Sequence, residues 1–390
     1  MTAPSDVTDS TLQILADLVA YPTITADSNL DLIAYAHARL DAAGARMTTT
    51  YDERREKANL FATIGPEVDG GVVLSGHTDV VPAEGDGWSS DPFAVSRMED
   101  LLYGRGTADM KGFIACALAL APAFASAPLR VPVHIALTFD EEEGFRGAPV
   151  LLDELARSGP SPAAAIVGEP TSLHIIVAHK GCYEYTTTIT GAEGHGSAPA
   201  KSVNAIEYGA RYLGRLLELR DELTARAPGD SAFEPPATTI SVGTMNGGTA
   251  RNIVAGTCAL EWEMRPVQRS DADHVLASLA SFEQQMVADM RRTHADTGVS
   301  TVAVCEVDGL DMAADSAALE LGRILLDHPE EDVVAFGTEA GLYQQAGIPA
   351  IVCGPGSIDV AHRPDEHVSI GQLDGCLDML RRLLAHLSGI

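Results

Sequence analysis

A chain of 390 residues, 46% of them hydrophobic, is long enough for two cores, so two domains are the starting expectation. A formal net charge of −29 at pH 7 argues against nucleic acid and against an anionic membrane surface as partners, since both would repel it. No apolar run approaches the ~20 residues of a membrane span, the start MTAPSDVTDS lacks the parts of a secretory signal, and six scattered cysteines form no C-x-x-C pair, which together fit a reduced, cytoplasmic setting.

In chain order, Thr11 to Ala20 reads as a short amphipathic helix ended by Tyr21-Pro22. Ser28 is placed to cap a second helix from Asn29 to Ala43, with Gly44 as its stop. Ala58 to Ile64 and Val72 to Ser75 read as strands, and Gly85 to Pro92, GDGWSSDP, as a loop. Leu101 to Tyr103 is extended and leads through GRGTADMKG into a helix over Lys111 to Ala125, where Pro122 predicts a kink or an early end. Val131 to Phe139 is a strand, Pro149 opens a helix that runs to Arg157, and Ala164 to Val167 is a strand. Strands alternating with helices predict an α/β sheet flanked by helices.

The pattern changes near Gly181. Strand Tyr183 to Thr190, helix Val203 to Ala225, strands Thr238 to Met245 and Thr257 to Met264, helix Ala272 to His294 and strand Ser300 to Val307 follow in turn. This is the order of a ferredoxin-like split unit. The alternation then resumes with helix Ser316 to Leu326, strand Ala350 to Cys353 and helix Gln372 to His386. The expected organisation is an α/β domain from residues 1–180 and 310–390, with an inserted α+β domain over 181–309.

Seven acids and histidines gather at strand ends and loops of the outer domain: His77, Asp79, Asp109, Glu141, Glu142, Glu169 and His362. In an open α/β sheet such strand ends line one edge, where sites form. Packed charges of one sign there repel unless cations neutralise them. Imidazole and carboxylate donors without thiolate suit zinc, with cobalt or manganese as alternatives. Two histidines and three carboxylates exceed one catalytic zinc and match two metals sharing a carboxylate. Asp79, two residues from His77, can stand behind its imidazole. Adjacent Glu141 and Glu142 point different ways, so one can be a ligand and the other a base; the residues alone leave open which.

GHTDVVP (76–82), GRGTADMKG (104–112), DEEEGFRGA (140–148), GEPT (168–171) and GPGSIDVAHRPDE (354–366) resemble the successive signatures of the dinuclear zinc peptidases and amidohydrolases. That family includes acetylornithine deacetylases, succinyl-diaminopimelate desuccinylases, aminoacylases and glutamate carboxypeptidases. The resemblance spans nearly the whole chain. By position it assigns His77, Asp109 and Glu169 to one metal, and His362, Glu142 and the bridging Asp109 to the other. Asp79 becomes the acid behind His77 and Glu141 the general base. Where the family has two adjacent glutamates this chain has three, so a slip of one residue would move these roles to Glu142 and Glu143.

GAEGHGSAPAKSVNAIE (191–207) resembles the family's lid and dimerisation domain. The resemblance implies a homodimer in which His195 reaches the partner's site and steadies the oxyanion. It also implies that Asn252 and Arg265 meet the substrate's carboxylate end. HKGCYEY, GTEAG and the spacing from Asn252 to Arg265 look most like the acetylornithine deacetylase branch. The expected substrate is then a small N-acyl amino acid, N2-acetyl-L-ornithine foremost, on a route to arginine. Desuccinylase or broader N-acyl-amino-acid hydrolase chemistry is the near alternative, and a non-catalytic binding protein the remote one. Glu339, in the Gly-bounded loop GTEAG, is the candidate to receive a cationic side chain. No G-x-S-x-G, phosphate loop or G-x-G-x-x-G after a strand supports another class.

Overall fold

The computed structural model describes residues 4–83, 87–311, 313 and 316–389. Helices α1 (Pro4–Val19) and α2 (Leu30–Ala42) precede strands β1 (Arg46–Tyr51), β2 (Ala58–Ile64), β3 (Val72–His77), β4 (Ser96–Met98) and β5 (Leu101–Tyr103). Then come α3 (Lys111–Ser126), β6 (Val133–Thr138), α4 (Gly147–Ser158), β7 (Ala164–Pro170) and β8 (Ile175–His179). The middle of the chain forms β9 (Cys182–Thr190), β10 (Gly194–His195), α5 (Ala205–Ala225), β11 (Thr239–Gly247), β12 (Ile253–Val254), β13 (Thr257–Arg265), α6 (Arg269–Met290) and β14 (Gly298–Val307). The last part forms α7 (Ala317–Leu325), β15 (Glu331–Val334), α8 (Ala340–Gln345), β16 (Ala350–Gly354), β17 (His367–Ser369) and α9 (Ile370–Ser388).

The chain divides into two compact units, Met1–Ala178 with Leu310–Asp332 and Thr338–Ile390, and His179–Gly309 with Val333–Gly337. The outer unit is built on an eight-stranded mixed sheet in the order β1-β2-β6-β3-β7-β16-β8-β15. β3 lies parallel to β6 and β7, and β16 parallel to β7, so four strands end along one edge. Every residue of β3, β6, β7 and β16 is buried, which explains why they read as short apolar runs with no alternation. α3 is almost wholly apolar because α1, α9 and the sheet enclose it. Gly168 on β7 lies under this helix, where a Cβ would come within 2.0 Å of the Phe113 ring.

Taken alone, the inserted unit is a four-stranded antiparallel sheet in the order β11-β13-β9-β14. Its core joins alternate residues of β9 and β13 to one stripe each of α5 and α6. Tyr185 and Trp262 stack at its centre with ring centroids 4.4 Å apart. The connectivity and strand order are those of the ferredoxin-like unit.

Some local expectations need correction. α1 begins at Pro4, earlier than Thr11, because residues 7–10 of its first turns contain no fully buried side chain to mark the helix. α2 starts at Leu30 after Asn29, whose own side chain makes no cap; Ser28 Oγ accepts from the Leu30 amide at 3.3 Å and also donates to the Glu56 carbonyl at 2.6 Å. α3 runs through Pro122 to Ser126. Residues 84–86 of the loop region around 85–92 lie outside the described residues; Gly87 onward is turn and bend. Strand β1, RMTTTY, has no fully buried residue, so its threonines carry no apolar signal. Among the described residues no helix is long and apolar enough to cross a membrane.

Candidate active site

The acids and histidines of the outer unit meet where the parallel strands end. His77 closes β3, Glu169 sits at the end of β7, and Glu141 and Glu142 follow β6 by three and four residues. His362 comes from the loop after β16, and Asp109 from the loop that opens α3. Donor atoms of His77, Asp109 and Glu169 lie within 4.8 Å of one another, as do those of Asp109, Glu142 and His362. Asp109 stands in both groups. Its Oδ1 is 3.0 Å from His77 Nε2, and its Oδ2 is 3.3 Å from His362 Nε2. His362 Nε2 is also 2.9 Å from Glu142 Oε2.

The backbone that presents these groups is held by buried charge. Glu366 is fully buried, and its carboxylate accepts from Arg105 Nη1 at 2.7 Å and from the amides of Gly106, Ala108 and Asp109 at 3.0, 2.9 and 3.0 Å. That single side chain shapes the loop carrying Asp109. Removing one partner of such a buried pair costs ~3–5 kcal/mol. Asp79 does the same for the β6 loop, accepting from the amides of Glu141 and Glu142 at 3.2 Å each and from Thr25 Oγ1 at 3.0 Å. Lys57 Nζ ties Asp140 to the Thr25 carbonyl. Asp140 and His362 adopt left-handed backbone, with φ of 52° and 59°, so two non-glycine residues are held in a costly conformation beside the cluster. The Asp109–Met110 peptide is cis.

The cluster is electrostatically frustrated without cations. Burial, then repulsion from Glu169, pushes the Glu141 carboxyl well above the usual range. Burial and Asp109 push Glu169 well up and Glu142 up. Burial would raise Asp109 too, but hydrogen bonds from His362 and His77 hold it low. Asp109 and Glu142 raise His362 to about 10. His77 is likewise raised, although burial opposes it, by its bond to Asp109. Four carboxylates thus compete for two imidazolium protons, the situation a bound cation relieves.

Residues 73–386 match Peptidase family M20/M25/M40. The chain belongs to this family. It is 37% identical to the acetylornithine deacetylase of Myxococcus xanthus over 99% of both chains. An M20 family metallo-carboxypeptidase from Sulfolobus solfataricus superposes with a TM-score of 0.74 at 17% identity, covering 98% of this chain and 100% of that one. A dinuclear metal-binding M20 peptidase from Bacillus subtilis superposes with a TM-score of 0.62 at 15% identity, covering 99% of each chain.

The residues of this M20 chain fit a metal. Glu169 Oε1 is buried with no hydrogen-bond partner among the described residues, an orphan that a cation would satisfy. The donors are imidazole and carboxylate, a metal-dependent hydrolase's set. His77 Nδ1 lies 2.9 Å from the main-chain carbonyl of Asp79 and 3.6 Å from its carboxylate Oδ1. The backbone therefore fixes the imidazole, with Nε2 turned to Asp109, while the Asp79 carboxylate chiefly organises the Glu141–Glu142 loop. Glu143 lies outside both groups, with its side chain 58% exposed and 3.7 Å from Arg146.

Glu339 stands apart from the position expected for it. It is 1% exposed, its Oε2 accepts from Ser75 Oγ at 3.3 Å, and Tyr343 OH donates to the same Ser75 Oγ at 3.0 Å. Ser75 is two residues before His77, so Glu339 lies against the strand that carries this ligand, and its Oε1 is buried with no hydrogen-bond partner among the described residues. Burial raises its carboxyl to about 7. Sequence reasoning gave no role to Glu366, Arg105 or Lys57; Glu366 closes the HRPDE run, and a second acid beside a metal histidine was the available signal.

In the inserted unit, His195 pairs with Ile253 across β10 and β12, and Gly196 N donates to the Asn252 carbonyl at 2.8 Å. His195 and Asn252 are exposed neighbours. Arg265 is not beside Asn252. It ends β13, whose length from Thr257 spans ~26 Å. Its guanidinium is engaged by Glu263 Oε2 at 2.7 and 3.1 Å.

Proposed function

We propose that this chain is a dinuclear metal amidohydrolase that cleaves the amide of an N-acetyl amino acid, N2-acetyl-L-ornithine foremost, to acetate and free ornithine. The observation that carries the reading is Asp109 shared between two ligand groups, with the buried carboxyl of Glu141 outside both. The names of the full-length relatives favour the acetyl substrate.

His77, Asp109 and Glu169 would hold one cation and Asp109, Glu142 and His362 the other. Zinc suits these donors, with cobalt as a working substitute. When bound, the two cations polarise the amide carbonyl and acidify water. Glu141 takes a proton from the water that attacks the carbonyl carbon. It returns that proton to the amide nitrogen as the C–N bond breaks. Asp79 and Lys57 keep the Glu141 loop in register, so the base does not drift between the two steps.

His195 supplies an oxyanion donor. Its Nδ1 is engaged by the Ser197 hydroxyl at 2.7 Å and the Ser197 amide at 3.2 Å, which leaves Nε2 free to donate to a developing negative oxygen. His195 and Asn252 lie at one end of β13 and Arg265 at the other. One small substrate therefore takes these contacts from two copies of the chain, which makes a homodimer the working unit. Arg265 must exchange Glu263 for a substrate carboxylate to act as its clamp.

The test is a panel of N-acetylornithine, N-acetylmethionine and N-succinyl-diaminopimelate, incubated with protein loaded with zinc or with cobalt and scored for free amine. N-acetylornithine should give the highest kcat/KM, and chelator-stripped protein should release nothing. Preference for the succinyl substrate would move the chain to the desuccinylase branch. No amine from any substrate would remove the hydrolytic reading.

A further inference from the structure

Among the described residues, one other group of metal-binding side chains outside the cluster at the strand ends meets within 4.8 Å: Cys182, Glu184 and Cys305. Cys182 and Glu184 are two apart on β9, so they share a face, and Cys305 of β14 is the register partner of Glu184. Tyr183, Tyr185 and Ile189 of β9 point into the helix-covered core, which places the three donors on the sheet's opposite face. The Sγ atoms of Cys182 and Cys305 are 3.7 Å apart. Two thiolates at ~2.3 Å from one tetrahedral ion would stand ~3.8 Å apart. Glu184 Oε1 is 3.8 Å from Cys182 Sγ, near the edge length expected between a sulfur and an oxygen ligand. Both cysteines are buried, at 3% and 6% exposure, while Glu184 is half-open to solvent and gives a path of entry.

The surroundings favour a cation. Glu184 lies directly opposite Glu263 on β13, a like-charge pair that destabilises a sheet unless something neutralises it. Arg265 reaches Glu263 at 2.7 Å but stands 3.8 Å from Glu184, so Glu184 is only loosely paired. Two thiolates and a carboxylate around a divalent ion leave one excess negative charge, and the Arg265 guanidinium is in place to balance it.

We propose that Cys182, Glu184 and Cys305 form a further metal site on the face of the inserted unit's sheet away from its helices, taking a thiophilic divalent cation such as Zn2+ with water in the fourth position. Binding forms two metal–sulfur bonds and releases the two thiol protons to solvent; nothing is oxidised or reduced. The ion clips β9 to β14, the strands by which the chain enters and leaves this unit, and it is chemically distinct from the thiolate-free cluster of the outer unit.

The test titrates Co2+ into the full-length protein, stripped of metal and kept reduced by a phosphine. Imidazole and carboxylate ligands give no thiolate-to-cobalt charge-transfer band, so that near-ultraviolet band reports this site alone, whether or not the outer cluster binds metal. The expected result is a band that saturates at the intensity of one thiolate-bound cobalt per chain. Cys182→Ser and Cys305→Ser should lose or strongly weaken the band and one bound equivalent, with other cobalt binding unchanged. Glu184→Gln should keep the band and weaken affinity at least tenfold. Should a serine variant fail to fold, the wild type decides. A folded, reduced protein with no such band overturns the proposal. So does an intact mass lighter by two hydrogens under the same reducing conditions, which would mean that the pair is a disulfide.

Discussion

The two units place their chemistry-bearing groups in opposite ways. In the outer unit His77, Asp109, Glu141 and Glu169 are buried at the ends of parallel strands, and the backbone around them is tied by Glu366, Asp79 and Lys57. In the inserted unit His195 and Asn252 are exposed on short paired segments. Buried charge is costly, so the outer cluster makes sense only as a site that cations complete. Exposed polar groups cost nothing to carry, so nothing local shows what they serve; their use depends on what is brought to them. The first unit is preorganised, whereas the proposed role of the second depends on a second copy of the chain.

That contrast can be broken most sharply at Glu141. If it is the base and not a ligand, Glu141→Ala should lose ~10²–10⁴-fold in kcat while both metals still bind. Glu142→Ala should lose metal as well as rate. The reverse pattern in metal analysis and kcat would exchange the two roles, making Glu141 the ligand and Glu142 the base.

The inserted unit is tested by complementation. Glu141→Ala and His195→Ala chains, each inactive alone, are mixed under conditions that exchange subunits. In a mixed dimer the chain with intact Glu141 receives His195 from its mate, so random exchange should restore about a quarter of wild-type activity. No recovery despite proven exchange would place His195 in its own chain's site or in none.

The smallest effect belongs to Glu339. Its carboxyl is raised from 4.5 to about 7 by burial, so the folded chain binds a proton that the unfolded chain releases. The resulting cost is absent below about pH 4.5, grows as pH rises, and is complete above about pH 7. Glu339→Gln should therefore raise the unfolding free energy at pH 8 by an amount on the order of 3 kcal/mol at most, and should leave it unchanged at pH 4. It should affect N-acetylornithine and N-acetylmethionine alike. A selective loss on N-acetylornithine would return Glu339 to the role of amine receptor.

Much of this was legible in the sequence, and the limits have physical causes. β2 was read to the residue, and β3, β6 and β7 were located, because fully buried strands must be continuous apolar runs. Thr-rich β1 was missed because a half-buried strand lacks that signal. His77, Asp109, Glu142, Glu169 and His362 stood out as acids and histidines just beyond apolar segments. Glu366 and Lys57 did not, because their work is to hold backbone groups, and hydrogen bonds to backbone leave no spacing pattern. Glu339 was expected in an open Gly-bounded loop, whereas its side chain is buried against Ser75 of β3. Asn252 and Arg265 were both expected at the substrate's carboxylate end, and sequence separation hides the length of the extended strand between them.

The central claim is that Asp109 is shared by two cations. Anomalous diffraction from a crystal of this protein grown with zinc tests it directly. The account predicts two peaks ~3.5–4 Å apart, one against His77 and Glu169, the other against Glu142 and His362, with Asp109 between them. A single fully occupied site in zinc excess, or metal lying away from Asp109, would contradict it.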